Sequence, residues 1–291
     1  MKAPPLAYVR ATSLTDAFNQ WRDAGPDAKL LAGGQSLLAT LAFRLSDPGT
    51  LIDISRLKEL RGITQASGGI RVGALTTHAE LGGNALVREH LPLLAQAVPL
   101  IAHAAIRNRG TIGGSLAFAD PAAELPACCV ALDATIVARN VADERRIPAS
   151  QFFTGLFQTA LRAHERIGGV NFPIASRGDR GAILELARRS GDYAMAGIAA
   201  KAKVTGSTIV EPRLVYFGVG DGPVLAERAM AAISGHQVLP GTTAAAQTAL
   251  MSDLDPPADQ HGSSDMKRHL SRVLLARALN RLVGAEEARA A

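Results

Sequence analysis

Two glycine pairs, Gly33-Gly34 and Gly113-Gly114, each follow an apolar stretch and are bordered by hydroxyl side chains, Ser36 at the first and Thr111 and Ser115 at the second. Without a Cβ, glycine accepts positive φ and lets main-chain N–H groups come close to a bound group. A diphosphate is held well by unobstructed N–H donors and by the positive end of a following helix. A single pair would be an ordinary turn; the repetition points to a dinucleotide. Neither loop has the G-x-G-x-x-G spacing of a Rossmann fingerprint, and no G-x-x-x-x-G-K-[ST] segment occurs, so the nicotinamide and P-loop motifs are absent.

The surrounding pattern supplies the elements. Residues 29–31 read as a strand, and after the first loop Leu37, Leu38, Leu41, Ala42 and Leu45 recur at helical spacing, with Ser36 placed to cap that helix. Asp47-Pro48-Gly49 stops it, residues 50–54 read as a strand, and residues 63–75, broken by Ser67-Gly68-Gly69, read as a hairpin. Residues 86–106 predict a long helical stretch interrupted at Pro92 and Pro99; residues 121–132 predict a helix opened by Asp120-Pro121, and 134–138 a strand. Beyond Pro173 the polar turn from Ser176 to Gly181 marks a boundary between lobes. The last third reads as a small sheet (182–187, 198–204, 213–219) under helices near 226–233, 242–251 and 265–282, and the Ala-rich end reads as frayed. The fold class expected is α+β.

At 291 residues, 47% hydrophobic and 20% charged, the chain has material for two cored lobes. Its 31 basic and 26 acidic residues are scattered, with no basic block interleaved with aromatics, so no nucleic-acid partner is expected. The formal charge of +5 suits an anionic cofactor or an acidic partner. No leader pattern opens the sequence and no apolar run reaches about 18 residues, so a cytoplasmic chain without a membrane span is expected. Cys128 and Cys129, the only cysteines, are adjacent, which gives neither a disulfide framework nor the ligands of an iron–sulfur cluster or zinc site; both read as buried small apolar side chains.

Five segments carry a family resemblance: 31–37 (Leu-Ala-Gly-Gly-Gln-Ser-Leu), 72–78 (Val-Gly-Ala-Leu-Thr-Thr-His), 107–116 around the second loop, 119–126 (Ala-Asp-Pro-Ala-Ala-Glu-Leu-Pro) and 187–194 (Ala-Arg-Arg-Ser-Gly-Asp-Tyr-Ala). Together they resemble the FAD-binding medium subunit of the molybdenum hydroxylases, nearest to the carbon monoxide dehydrogenase medium subunit within the wider xanthine dehydrogenase family. The resemblance implies a vanillyl-alcohol-oxidase/PCMH-type FAD-binding domain in two subdomains over residues 1–176, and a C-terminal α+β domain of the carbon monoxide dehydrogenase flavoprotein type over 177–291. By the same resemblance Ala32, Gly33, Gly34, Gln35 and Ser36, with Thr111, Ile112, Gly113, Gly114 and Ser115, hold the FAD pyrophosphate. Glu124 then contacts the nucleotide half, and Asp192 and Tyr193 lie against the isoalloxazine. The implied partners are a molybdopterin-binding large subunit and a [2Fe–2S] small subunit, in a dimer of heterotrimers. The sequence departs from the family at Ser115, where many relatives have Asn, at Glu185, where a basic residue is frequent, and at Met266-Lys267, in place of Tyr-Arg.

His78 and His103 lack a second catalytic partner in any motif and read as structural or surface residues. Trp21 lies at helical spacing with Leu14, Ala17 and Phe18 and reads as core. Tyr193 is the aromatic suited to stack on a flavin. Two functions remain open from the residues: an electron-transfer flavoprotein that depends on cluster-bearing partners, and a self-sufficient FAD-dependent reductase or oxidase of the same fold.

Overall fold

The computed structural model describes residues 4–66 and 68–284, an α+β chain with sheets of three, five and four strands and one two-stranded pair. The Ala-rich end expected to fray, and Ser67 of the expected hairpin turn, lie outside the described residues.

The N-terminal layer is a parallel sheet in the order β1-β3-β2, from β1 (Ala7–Arg10), β2 (Lys29–Leu31) and β3 (Thr50–Asp53), with helices α1 (Leu14–Ala24) and α2 (Leu37–Ala42). Ser13 caps α1 by accepting from the Asp16 N–H, and the helix buries Ala17 and Phe18. Trp21 packs against this layer and donates from its ring nitrogen to the Ala28 carbonyl at 3.1 Å. The core here is small: Ala11, Ala17, Ala28, Ile52, Ile54, Leu57, Leu60 and Leu75.

The central layer is antiparallel, ordered β4-β5-β10-β6-β7 from β4 (Ile63–Ala66), β5 (Gly69–Gly73), β6 (Thr135–Arg139), β7 (Glu144–Pro148) and β10 (Arg166–Pro173); the pair β8 (Phe153–Gly155) and β9 (Gln158–Thr159) lies beside it. Six short helices surround it: α3 (His78–Gly83), α4 (Ala85–His90), α5 (Pro92–Ala97), α6 (Ala104–Arg107), α7 (Ile112–Phe118) and α8 (Glu124–Ala131). The expected long helix over 86–106 is therefore three helices and a 3₁₀ turn. Pro92 has no N–H to continue a helix and instead starts α5, while Pro99 sits in the 3₁₀ turn Val98–Leu100. The helix expected from Pro121 begins at Glu124, because Asp120 folds the chain into a turn, its carboxylate accepting from the Ala122 N–H at 2.9 Å. Cys128 and Cys129 are fully buried in α8.

The central layer ends with β10 at Pro173, and the C-terminal sheet opens at Asp179 with β11 (Asp179–Leu186), followed by β12 (Ala196–Thr205), β13 (Thr208–Phe217) and β14 (Val224–Leu225) in that order. Its side chains alternate as a strand requires. Ile183, Ala199, Val215 and Phe217 join the central core, while Ala182, Ile198, Ala200, Leu214 and Tyr216 meet helices α9 (Glu227–Ile233), α10 (Pro240–Leu250) and α11 (Ser264–Leu282). Each large apolar side chain sealed this way contributes roughly 1.5–3 kcal/mol. Lys267, at the Tyr-Arg departure, is buried and bonds within this layer, to Asp259 at 2.6 Å and the Gly218 carbonyl at 3.2 Å, whereas Met266 is exposed.

Two hydrogen bonds tie the C-terminal layer to α8 and the turn before it: the Gly218 N–H donates to the Pro121 carbonyl at 2.7 Å, and the Arg213 guanidinium donates to the Val130 carbonyl at 2.8 Å. The joint between the N-terminal and central layers is of another kind. Arg166 of β10 is 4% exposed and stacks over the Phe18 ring at 5.1 Å, its Nε without a partner. Burial, then the Arg139 charge, lowers its pKa to about 10. Among the described residues no helix is long and apolar enough to cross a membrane.

Candidate cofactor cleft

A cleft of about 590 Å³ opens where the three layers meet, inside the roughly 300–1,000 Å³ typical of small-molecule and cofactor sites. The N-terminal layer contributes Ala32 to Leu37, the central layer His78, Ile101, Ala102, Thr111, Gly114, Ser115 and Glu124, and the C-terminal layer Gly191 to Tyr193. Of the residues expected from sequence, only Ile112 and Gly113 stand outside the lining. Both are buried, their N–H groups bonded to the Thr76 and Ala74 carbonyls at 3.0 and 2.8 Å.

The first loop links β2 to α2. Gly34 has φ 75°, a conformation open to glycine at little cost, and a Cβ on Gly33 would stand 2.0 Å from the Arg109 carbonyl oxygen. Glycine at 33 is thus required by the meeting of the two loops. Ser36 does not cap α2: its backbone is already helical and its side chain makes no cap bond, so its hydroxyl is left for other use. The N–H groups of Gly33, Gly34, Gln35 and Ser36 donate to no acceptor among the described residues. Four consecutive free donors beside a cleft can form an anion cradle, because half-buried N–H groups without partners in the chain are open to a bound group.

The second loop also opens a helix, α7, but Thr111 caps it by accepting from the Gly114 N–H at 3.1 Å, and the Ser115 N–H turns back to Thr111 at 3.0 Å. What this loop offers the cleft is the Ser115 side chain.

Beyond it, Asp120, Glu124 and Tyr193 share one end. Burial pushes the Glu124 carboxyl up to about 8, with the Glu185 and Asp120 charges adding to it and its own N–H opposing. Burial lifts Glu185 to about 7, and its Oε2 has no partner. Burial, then the charges of Asp120 and Glu124, raise the Tyr193 hydroxyl, although the side chain is 60% exposed and water damps the effect. The Glu124 and Asp120 charges thus reach the Tyr193 hydroxyl across this part of the cleft.

Lining residues that escaped the sequence reading include Ile101, Ala102 and His78. Ile101 and Ala102 form a turn pinned by Arg107, whose guanidinium donates to both carbonyls at 2.8 and 2.9 Å. Gly191 folds over that turn at φ 82°, and a Cβ there would stand 2.7 Å from the Ala102 oxygen. The third is His78, 6% exposed, with neither ring nitrogen bonded. Burial holds its pKa near 4; the Thr111 main chain, which approaches the ring but falls short of hydrogen-bond geometry, opposes this, and the Arg107 charge adds to it. His103, by contrast, is exposed.

Sequence models cover the chain in two blocks: the FAD binding domain in molybdopterin dehydrogenase matches residues 4–175, and the CO dehydrogenase flavoprotein C-terminal domain matches 182–282. The chain belongs to the FAD-binding medium subunits of the molybdenum hydroxylases. It is 38% identical to the 6-hydroxypseudooxynicotine dehydrogenase complex subunit alpha of Paenarthrobacter nicotinovorans, over 96% of this chain and 95% of that one. The flavin subunit superposes on a chain of carbon monoxide dehydrogenase from Hydrogenophaga pseudoflava with a TM-score of 0.93 at 36% identity, covering 96% and 98% of the two chains. A chain of quinoline 2-oxidoreductase from Pseudomonas putida 86 gives 0.93 at 35% identity, covering 98% and 99%. The α+β architecture read from the sequence is thus the family's own, and FAD is the family's cofactor. The free donors at Gly33 to Ser36 and the unbonded His78 fit such a group.

Proposed function

We propose that this chain is the electron-transfer flavin subunit of a molybdenum hydroxylase, relaying electrons from the [2Fe–2S] clusters of a small subunit to an acceptor while a molybdopterin-binding large subunit oxidises the substrate. A dimer of heterotrimers is the assembly this reading expects. The carrying observation is the row of four unbonded N–H groups at Gly33 to Ser36 beside a cleft shared by three layers. The cysteine content agrees: two adjacent, fully buried thiols cannot hold a cluster, so cluster electrons must come from another chain.

In this reading the pyrophosphate lies on the Gly33 to Ser36 amides with the Ser115 hydroxyl beside it, and Thr111 and Gly114 form the wall, backed by the buried Ile112 and Gly113. Ala32 precedes the cradle, and within it the Gln35 side-chain amide donates to the Gly33 carbonyl at 3.0 Å and fixes the loop. The isoalloxazine lies toward Ile101, Ala102, Asp192 and Tyr193, and Glu124 faces that end as a protonated carboxyl at neutral pH, able to donate a hydrogen bond. Bound FAD supplies the redox chemistry, and the protein positions it and sets its surroundings.

The raised Glu124 pKa also supports the second reading, a self-sufficient flavin reductase, because such an enzyme needs a proton-bearing group near the ring. Anaerobic stopped-flow reduction separates the two. With substrate added, the isolated flavin subunit is expected to stay oxidised and to bleach only when cluster and molybdenum subunits are restored. Rapid bleaching of the isolated chain would reject the relay, and purified chain unable to take up FAD would reject both readings.

A further inference from the structure

His78 is a buried imidazole facing a cofactor cleft, with both ring nitrogens unbonded among the described residues. Buried polar groups are nearly always hydrogen-bonded, so an orphan of this kind marks a missing partner. Its neighbours say which part of a ligand it meets. A Cβ on Gly110 would stand 3.0 Å from the His78 ring, and a Cβ on Gly33 would stand 3.0 Å from the Gly110 Cα. His78, Gly110 and Gly33 are thus in successive contact, which puts the ring at the level of the free amides. The His78 main chain is fixed as well, its N–H donating to Gly110 at 2.9 Å.

We propose that His78 completes the diphosphate cradle, donating a ring N–H to a phosphate oxygen of the bound dinucleotide and taking up a proton as that anion binds. The inference rests on the FAD reading above and adds a residue to it. In the free protein the imidazole is neutral, because burial and Arg107 hold its pKa near 4. A diphosphate beside it favours the charged form and raises that pKa in the complex. Affinity then strengthens as pH falls through the bound-state pKa, and this gain is lost above it. The other titratable groups lining the cleft are Lys29, Asp120, Glu124, Asp192 and Tyr193, with Glu185 close enough to act on Glu124 and Arg107 close enough to act on the ring. Glu124 and Glu185, raised to about 8 and 7, are already protonated below about pH 6, in both free and bound protein.

The test is FAD titration of the flavin-free chain by fluorescence and by calorimetry in two buffers of different ionisation enthalpy, from about pH 6.5 down to about pH 5. The variants are His78→Asn and His78→Gln, which keep a donor but do not titrate. Wild type is expected to gain affinity and to take up protons across this range. The variants should bind FAD with a pH-independent constant in it and about tenfold more weakly at its acid end. Wild type that binds FAD with no proton uptake overturns the role of His78 even if neither variant folds. Variants that only melt lower, with unchanged affinity and pH profile, also overturn it by making His78 a packing residue. Failure of wild type to bind FAD at any pH would instead strike the FAD reading itself.

Discussion

Between Gly33 and Ser36 four consecutive amides find no acceptor, whereas between Ile112 and Ser115 every amide is bonded, to Thr76, to Ala74 and twice to Thr111. The two loops look alike as strings of letters: a glycine pair, hydroxyl neighbours and a helix behind. Their glycines answer different needs. In the first loop they free the backbone for a ligand and for contact with the second loop; in the second, Gly113 is there because a Cβ would stand 2.6 Å from that of Ala74. A glycine-rich loop is thus a licence for close approach, and the partner that approaches is decided by the rest of the fold.

The largest effect that would break this contrast is expected at Gly33. Gly33→Val drives a branched side chain into the Arg109 carbonyl and should weaken FAD binding by about 3 kcal/mol or more, while Gly114→Ala, which meets only the Thr111 hydroxyl at 2.9 Å, should stay below about 1 kcal/mol. Fluorescence titration of both variants would show it; equal losses would erase the distinction.

A second expectation extends the contrast to the acidic end of the cleft. Folded Glu124 keeps its proton up to about 8, whereas an unfolded glutamate releases it near about 4.3. The folded state therefore binds more protons between those values, and wild-type stability falls as pH rises through them. Glu124→Gln removes that fall: the two proteins should melt alike near pH 4, and the variant should be about 2 kcal/mol more stable near pH 8.5. Parallel melting curves across that range would count against a buried carboxyl.

A third test isolates what the second loop does. Thr111→Val removes the cap of α7 and should cost about 1 kcal/mol of stability with little change in FAD affinity. The smallest effect is expected from Ser115→Ala, which should lower FAD affinity by about 0.5 kcal/mol and leave melting unchanged, since that hydroxyl holds nothing else in place. A swap of these outcomes, affinity lost at Thr111 and stability lost at Ser115, would reverse the roles assigned to the two side chains.

Much of this was legible in advance for local reasons. Glycine turns beside short apolar runs placed Lys29–Leu31 and the hairpin 63–66 and 69–73 close to where they stand, the reading of a helix over 265–282 lies close to α11, and the turn after Pro173 falls between the second and third layers. Short helices were harder, since Pro92 and Pro99 divide one apolar stretch into pieces whose ends are set by packing. Eleven of the thirteen residues singled out line the cleft, and Ile112 and Gly113 do not, because no sequence pattern tells whether an amide faces a cavity or a neighbouring strand. His78 read as structural for the same reason. Its lack of a partner is a three-dimensional fact, and the only sequence signal was its place in the segment 72–78 shared with the family. Ile101 and Ala102 carried no signal.

The N-terminal layer has by far the smallest core of the three, a cluster of eight buried side chains of which three are alanine, and it meets the central layer across a buried arginine that stacks on Phe18. Such a unit has little of its own to oppose local opening, and among the layers it should exchange its amide hydrogens soonest. A dinucleotide held by its amides on one side and by the other two layers on the remaining sides would lend it the missing free energy in proportion to ligand concentration. The cradle would then be a foldon whose closing is ligation itself, so that flavin loss and the fraying of residues 4–62 become one event.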